Sequence, residues 1–247
     1  MRVFNEIPKI LMSGLLLSGL LILSTTLSAQ KSGEAKGKSA ILKIKSVADF
    51  ELTGDTLGIA WKKTHWIDVP QREGKLIQAT RVKLLYSEKG VYCLFWCEDK
   101  KITATLREDF TDLYKEDVVE IFFWTDEKTP LYFEYELSPL NHELAILVPN
   151  LNGQFFGWRP WHFEGGRLTR HAVSIVKHND QVTGWAAEFF IPYTLLKPLQ
   201  NVPPQKGTSW RVNMYRIDYD EGAGEWSWQL TGINFHDIAS FGTLLFD

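Results

Sequence analysis

Residues 112–124, DLYKEDVVEIFFW, begin polar and acidic and end as an apolar run from Val118 to Trp124. A run this short, β-branched and aromatic has the make-up of a buried strand rather than a helix. One residue breaks it. Side chains alternate across a strand, so Val118, Glu120, Phe122 and Trp124 share one face, and Val119, Ile121 and Phe123 the other. Glu120 is therefore a carboxylate inside an apolar strand. A charge there costs free energy unless it is paired, hydrogen-bonded or turned toward a wet concavity. On the residue alone, an ion pair with a nearby Arg or Lys outweighs a ligand-binding role, because buried ion pairs put carboxylates in such places too.

The remaining chain repeats the short-strand pattern. Arg81 to Tyr86 alternates, Ser87 to Gly90 reads as a turn in which Gly90 is able to take positive φ, and Val91 to Cys97 is apolar on both faces. In the run from Leu131 to Leu137, Leu131, Phe133, Tyr135 and Leu137 point inward. Tyr132, Glu134 and Glu136 take the other face, the two glutamates as a solvated charged stripe. Further strands are expected at 143–148, 172–176, 185–191, 210–217, 225–230 and 241–246, with a tight turn at 178–180. Roughly ten or more short strands, punctuated by turns and lacking helical periodicity, predict an all-β antiparallel sandwich of two packed sheets. It forms one domain over 41–247.

The N-terminus predicts export. Arg2 and Lys9 precede an apolar run from Ile10 to Leu23, and small residues end at Ser28-Ala29. This is the layout of a secretory signal peptide over 1–29, and its run is short for a membrane span. Residues 30–40 are Gln30 followed by Lys, Gly, Ser, Glu and Ala, a flexible leader. The mature chain is expected in the periplasm or outside the cell. The formal charge is −3, and losing Arg2, Lys9 and Glu6 makes it one unit more negative. Cations are scattered rather than patched, which excludes nucleic acid as a partner. Cys93 and Cys97 are four apart on one strand, about 13 Å at ordinary strand rise and too far for a disulfide, so both read as buried thiols.

Aromatic content points toward function. Ten Trp, eight Tyr and fifteen Phe exceed what a small core absorbs, and a surplus of exposed rings suits the axial C–H faces of sugars. Trp61, Trp96, Trp185 and Trp210 read as core. Trp226 and Trp228 share a face, as a platform or as a core pair. Trp158 and Trp161 stand in a long polar loop over 149–166, and loops of that length are usually functional.

Several segments together resemble the family 9 carbohydrate-binding modules: Thr53-Gly-Asp55 ahead of Trp61, Val82 to Tyr86 with Gly90-Val-Tyr92 and Asp99, and Asp117-Val-Val-Glu120-Ile-Phe. Ala187-Glu188-Phe-Phe-Ile191-Pro192 with Leu195 continues the pattern. So do Gly207, Trp210, Asn213 and Arg216, then His236 with Phe241-Gly242. The resemblance spans about Phe50 to Phe246. It implies a β-sandwich that binds oligo- or polysaccharide without catalysis and accompanies glycoside hydrolases in polysaccharide breakdown. Two aromatic clamps would fall on Tyr114 and Phe235 and the assisting carboxylate on Glu120, with Asn213, Arg216 and His236 as polar contacts and Trp158 or Trp161 as an extra platform. The arginine of that site falls on Glu134. The resemblance also implies structural calcium, for which Asp55, Asp99, Asp117 and Glu188 are the candidate carboxylates, although no linear loop of alternating oxygen ligands is present.

Other chemistries fit less well. Glycoside hydrolysis needs two carboxylates across a cleft, whereas Asp117 and Glu120 would face opposite sides of one strand. Haem is the alternative ligand, with His65, His142, His162, His171, His178, His236 and Met214 as available axial residues, but Cys93 and Cys97 lack the spacing of covalent attachment. A subunit whose aromatic face docks another protein also remains open.

Overall fold

The structure, a computed structural model, describes residues 40–161, 168–220, 222–232 and 234–247. The expected signal peptide, most of the leader and His162 lie outside the described residues. Among the described residues, no helix is long and apolar enough to cross a membrane.

The described chain forms fifteen strands. They are β1 (Ile41–Ser46), β2 (Ile67–Asp68), β3 (Gln71–Gly74), β4 (Thr80–Tyr86), β5 (Gly90–Glu98), β6 (Val118–Trp124), β7 (Leu131–Leu137) and β8 (Glu143–Leu151). They continue as β9 (Gln154–Phe155), β10 (Arg159–Pro160), β11 (Arg170–His178), β12 (Gln181–Pro192), β13 (Ser209–Asp218), β14 (Gly224–Ser227) and β15 (Gly242–Phe246). Ten have five or more residues, and the extra five are short rim pieces.

One layer runs β10-β8-β7-β6-β13-β15, and the other β4-β5-β12-β11. The pairing is antiparallel throughout except at β1, which pairs parallel with β15 through Ile41 to Ile44 and then parallel with β4 through Lys45 and Ser46. The sandwich is thus mixed, because one strand crosses from one layer to the other.

Period-two alternation builds the core between the layers. Val91, Cys93, Phe95 and Cys97 of β5 and Trp185, Ala187, Phe189 and Ile191 of β12 meet Val119, Ile121 and Phe123 of β6 and Val212 and Met214 of β13. Both cysteines are free and buried there. Much of each outer face is apolar as well, because each layer is covered. Trp61, Phe50, Leu52 and Trp66 lie over Tyr92, Leu94 and Phe190 of the second layer. Leu113, Phe235, Ile238 and Phe241, with Trp158 partly buried, lie over Phe122, Tyr132, Ile146 and Tyr215 of the first. This explains why Val91 to Cys97 reads as apolar on both faces. Glu188 ties down the cover of the second layer, accepting N–H bonds from Trp61 Nε1 (2.7 Å), Thr53 (2.7 Å) and Gly54 (2.8 Å).

Two turn expectations divide. Asn179 and Asp180 take positive φ at the β11–β12 turn, as a two-residue hairpin requires. Gly90 does not have positive φ; a Cβ there would lie 2.3 Å from Ile191 O, so close backbone approach explains the glycine.

Candidate functional site

Glu120 stands opposite Tyr215 of β13 and Glu136 of β7. The same face of β7 carries Glu134 and Tyr132. These strands floor a cavity of about 370 Å³ with Glu120, Phe122, Glu134, Glu136, Ile146 and Ile217. Loops and short rim strands add Tyr114, Phe155, Trp158, Asn234, Phe235 and His236, and β3 and β14 add Arg72, Glu73 and Glu225.

Glu134 and Glu136 are therefore not a solvated stripe. They are 4 % and 1 % exposed, and Glu120 is 2 % exposed. Alternation was read correctly, but the second face of β7 is covered too. Burial first, and the neighbouring glutamates second, push all three carboxyls well above the usual carboxylate range. Glu134 Oε2 and Glu136 Oε2 are buried without a hydrogen-bond partner among the described residues. Nor does Glu120 form the ion pair that its residue type alone favours: no described Lys or Arg makes a salt bridge to Glu120, Glu134 or Glu136.

Ring stacking and hydrogen bonds join the rim to this floor. Phe235 stacks on Tyr215 at 4.1 Å and 12°, and Tyr215 Oη donates to Phe235 O at 2.8 Å. The Arg72 guanidinium lies 5.5 Å from the Phe235 ring centre, donates to Glu225, and donates to Gly232 O at 2.8 Å. His236 stacks on Phe155 at 4.2 Å and 15°. Burial pushes its pKa down to about 4, so the imidazole is neutral at pH 7. Burial also keeps the Tyr132 phenol protonated; it bonds to His236 Nδ1, which leaves the ring proton on Nε2. His236 Nδ1 lies 3.8 Å from Glu134 Oε2.

Of the sequence-predicted ligand residues, Tyr114, Glu120, Trp158, Phe235 and His236 converge on the cavity. Trp161, Asn213 and Arg216 do not line it. Trp161 packs against the core between the layers, and its Nε1 donates to Leu195 O at 3.0 Å. Asn213 is fully buried and brackets the turn after β14, donating to Gln229 O (2.8 Å) and accepting from Gln229 N (2.9 Å). Arg216 faces the opposite side of β13 from Tyr215. It donates to Asp218 (2.5 Å), Glu98 O (2.7 Å) and Asp99 (3.1 Å) under the Trp226 ring, so it is an interior cation.

Sequence reading missed Arg72, Phe155 and Glu225 and misjudged Glu134 and Glu136. Arg72 brings a guanidinium to a site whose expected arginine position is Glu134. No local signal marks it, because β3 reaches the site only by pairing with β14.

The calcium candidates do not converge. Asp99 with Asp218 and Asp220 is the one group of three among the described residues whose ligand atoms lie within 4.8 Å of each other; Asp55, Asp117 and Glu188 are not in it. Arg216 already bonds two of those three. Asp117 accepts N–H bonds from Thr103 (2.5 Å) and Tyr219 (2.8 Å), and Glu188 is saturated as described, so these residues fit a calcium ion poorly. Of the haem candidates, Met214 is buried in the core and His236 is the histidine that lines the cavity.

The architecture has known counterparts. A module of carbohydrate-binding family 9 from Caldicellulosiruptor kristjanssonii, solved with glucose, superposes with a TM-score of 0.60 over 84% of this chain and 95% of its own, at 13% identity. This chain has the family 9 carbohydrate-binding module fold. A family 9 module from the same organism, solved with cellotriose, gives a TM-score of 0.60 at 14% identity, covering 83% of this chain and 94% of that one. A "putative carbohydrate-binding protein" from Bacteroides uniformis ATCC 8492 gives 0.70 at 15% identity, covering 85% of this chain and all of that one. No protein-family model matches the sequence, and no curated protein does.

Proposed function

We propose that this chain is an exported, non-catalytic carbohydrate-binding protein whose sugar site is the glutamate-floored cavity. One observation carries the reading: buried carboxyls with unused acceptor oxygens floor a cavity rimmed by Tyr114, Phe155, Trp158 and Phe235. Sugars need both components, rings for their C–H faces and polar groups for their hydroxyls. The solved counterparts of this fold hold glucose and cellotriose in the same class of module, which supports the assignment. Glu120, Glu134 and Glu136 stand side by side on adjacent strands of one wall, not across a cleft, so the paired-carboxylate geometry of a glycosidase is not the basis of this site. The signal-peptide pattern of residues 1–29 supports export to the periplasm or beyond, where the protein would serve polysaccharide breakdown beside a glycoside hydrolase.

A glycan-array screen of the mature protein, with Tyr114→Ala and Trp158→Ala alongside, tests this. Binding of a glycan class by the parent and its loss in both variants is expected. Absence of binding to every glycan would overturn the reading, and a strong visible band in the purified protein would redirect it to haem.

A further inference from the structure

The charge balance of the cavity goes beyond sugar binding as such, although the inference rests on that reading. Glu73, Glu120, Glu134, Glu136 and Glu225 line the cavity against one guanidinium, Arg72, and Arg72 is already bonded to Glu225. Among the described residues, no Lys or Arg pairs with the three floor glutamates, and His236 is neutral. Glu134 and Glu136 lie together under at least nine-tenths burial, and their Oε2 atoms have no hydrogen-bond partner among the described residues, whereas buried polar atoms in folded proteins are almost always satisfied. By itself, burial holds these carboxyls in their protonated form, and a ligand that brings donors together with a positive charge would satisfy the acceptors and let the carboxyls ionise.

We propose that the cavity selects a hexosamine carrying a free, protonated 2-amino group over neutral and anionic sugars. An ammonium supplies three donors and a compensating charge at once, whereas a hydroxyl supplies one donor and no charge. The ring faces of the rim add a second attraction for a cation, since aromatic faces are electronegative. An N-acetylated amine loses the charge and two of its donors and adds bulk. A uronic acid would bring a sixth carboxylate into the cavity.

The test compares three trimers that share one β-1,4 backbone and differ at carbon 2: the glucosamine trimer, cellotriose and the N-acetylglucosamine trimer. Affinities are read by calorimetry at pH 6, for the mature parent, Glu136→Gln and Glu134→Gln, with melting temperature as the folding control. The glucosamine trimer is expected to bind at least about tenfold more tightly than either other trimer, and each Gln variant to shrink that preference to about twofold, since charge complementarity sets specificity. Cellotriose binding as tightly as the glucosamine trimer would overturn the selection and leave the sugar reading standing. A glucosamine preference undiminished in both folded Gln variants would also overturn it, because the charge would then lie elsewhere. If no trimer and no array glycan binds, the sugar reading falls and the selection with it.

Discussion

Replacing Arg216 with Met is expected to unfold this protein more readily rather than to alter its ligand contacts. Arg216 is wholly buried, as are Asp99 and Asp218, and its guanidinium bonds both carboxylates as well as Glu98 O and Thr80 Oγ1. Methionine keeps much of the volume under the Trp226 ring but leaves two buried acids without a cation. Breaking a buried pair from one side costs about 3–5 kcal/mol. At roughly 2–4 °C per kcal/mol for a domain of this size, the melting temperature should fall by about 6–20 °C. The loss should depend on pH. Burial already holds the Asp99 carboxyl up at about 6 in the folded protein, above its ordinary 3.8. Between those values the native state binds more protons than the unfolded state, so this group's contribution falls as pH rises. Without the guanidinium both acids prefer the neutral form more strongly, and an uncharged acid costs little. The gap between parent and variant is therefore smaller at pH 5 than at pH 8. Asp99→Asn placed in the Arg216→Met background should recover part of the stability at pH 8. Urea midpoints at the two pH values measure all of this. A variant as stable as the parent at pH 8, or one with normal melting and lost sugar binding, would refute the interior-cation argument and return Arg216 to the site.

Three further outcomes are expected. His236 has its pKa pushed down to about 4 from 6.5, so the unfolded chain binds the extra proton first and stability is lost as pH falls through that window; His236→Gln should flatten the urea midpoint between pH 6.5 and 4, and an unchanged slope would show that the ring is not buried neutral. Gly74 has φ +96°, and a Cβ there would lie 2.1 Å from Ala223 O; Gly74→Ala should cost about 1–3 kcal/mol and also weaken ligand binding, because β3 carries Arg72, whereas wild-type melting and affinity would show that the β3–β14 approach is soft. Chelator should leave the melting temperature unchanged, since Arg216 is already the cation between Asp99 and Asp218; a fall of several degrees would place structural calcium at Asp99, Asp218 and Asp220.

Local periodicity carried most of the fold. The alternation of 118–124 and 131–137, the double-faced run at 91–97 and the Asn179-Asp180 turn all stand where short-range stereochemistry puts them. What failed was the environment of polar side chains beneath a cover. Glu134 and Glu136 occupy the correct face of β7, but their environment is set by Phe155, Trp158, Phe235 and Tyr114, which lie elsewhere in sequence. The parallel pairing of β1 with both layers is equally invisible locally, because an isolated strand does not state its partner's direction.

The site divides along the same line. Glu120 was conspicuous because one carboxylate in an apolar strand violates a pattern that can be counted along the chain. The family resemblance makes Arg216 and Asn213 ligand contacts; the register of β13 instead sends Arg216 into the interior among Asp99 and Asp218 and gives Asn213's hydrogen bonds to Gln229. Sequence alone determined the strands, their two faces and an aromatic surplus, since these follow from side-chain chemistry at fixed local spacing. Tertiary structure alone decided which carboxylates meet and that no described Lys or Arg meets Glu120, Glu134 or Glu136. Long-range strand pairing, not local sequence, sets the distances over which charges and orphaned hydrogen-bond acceptors act.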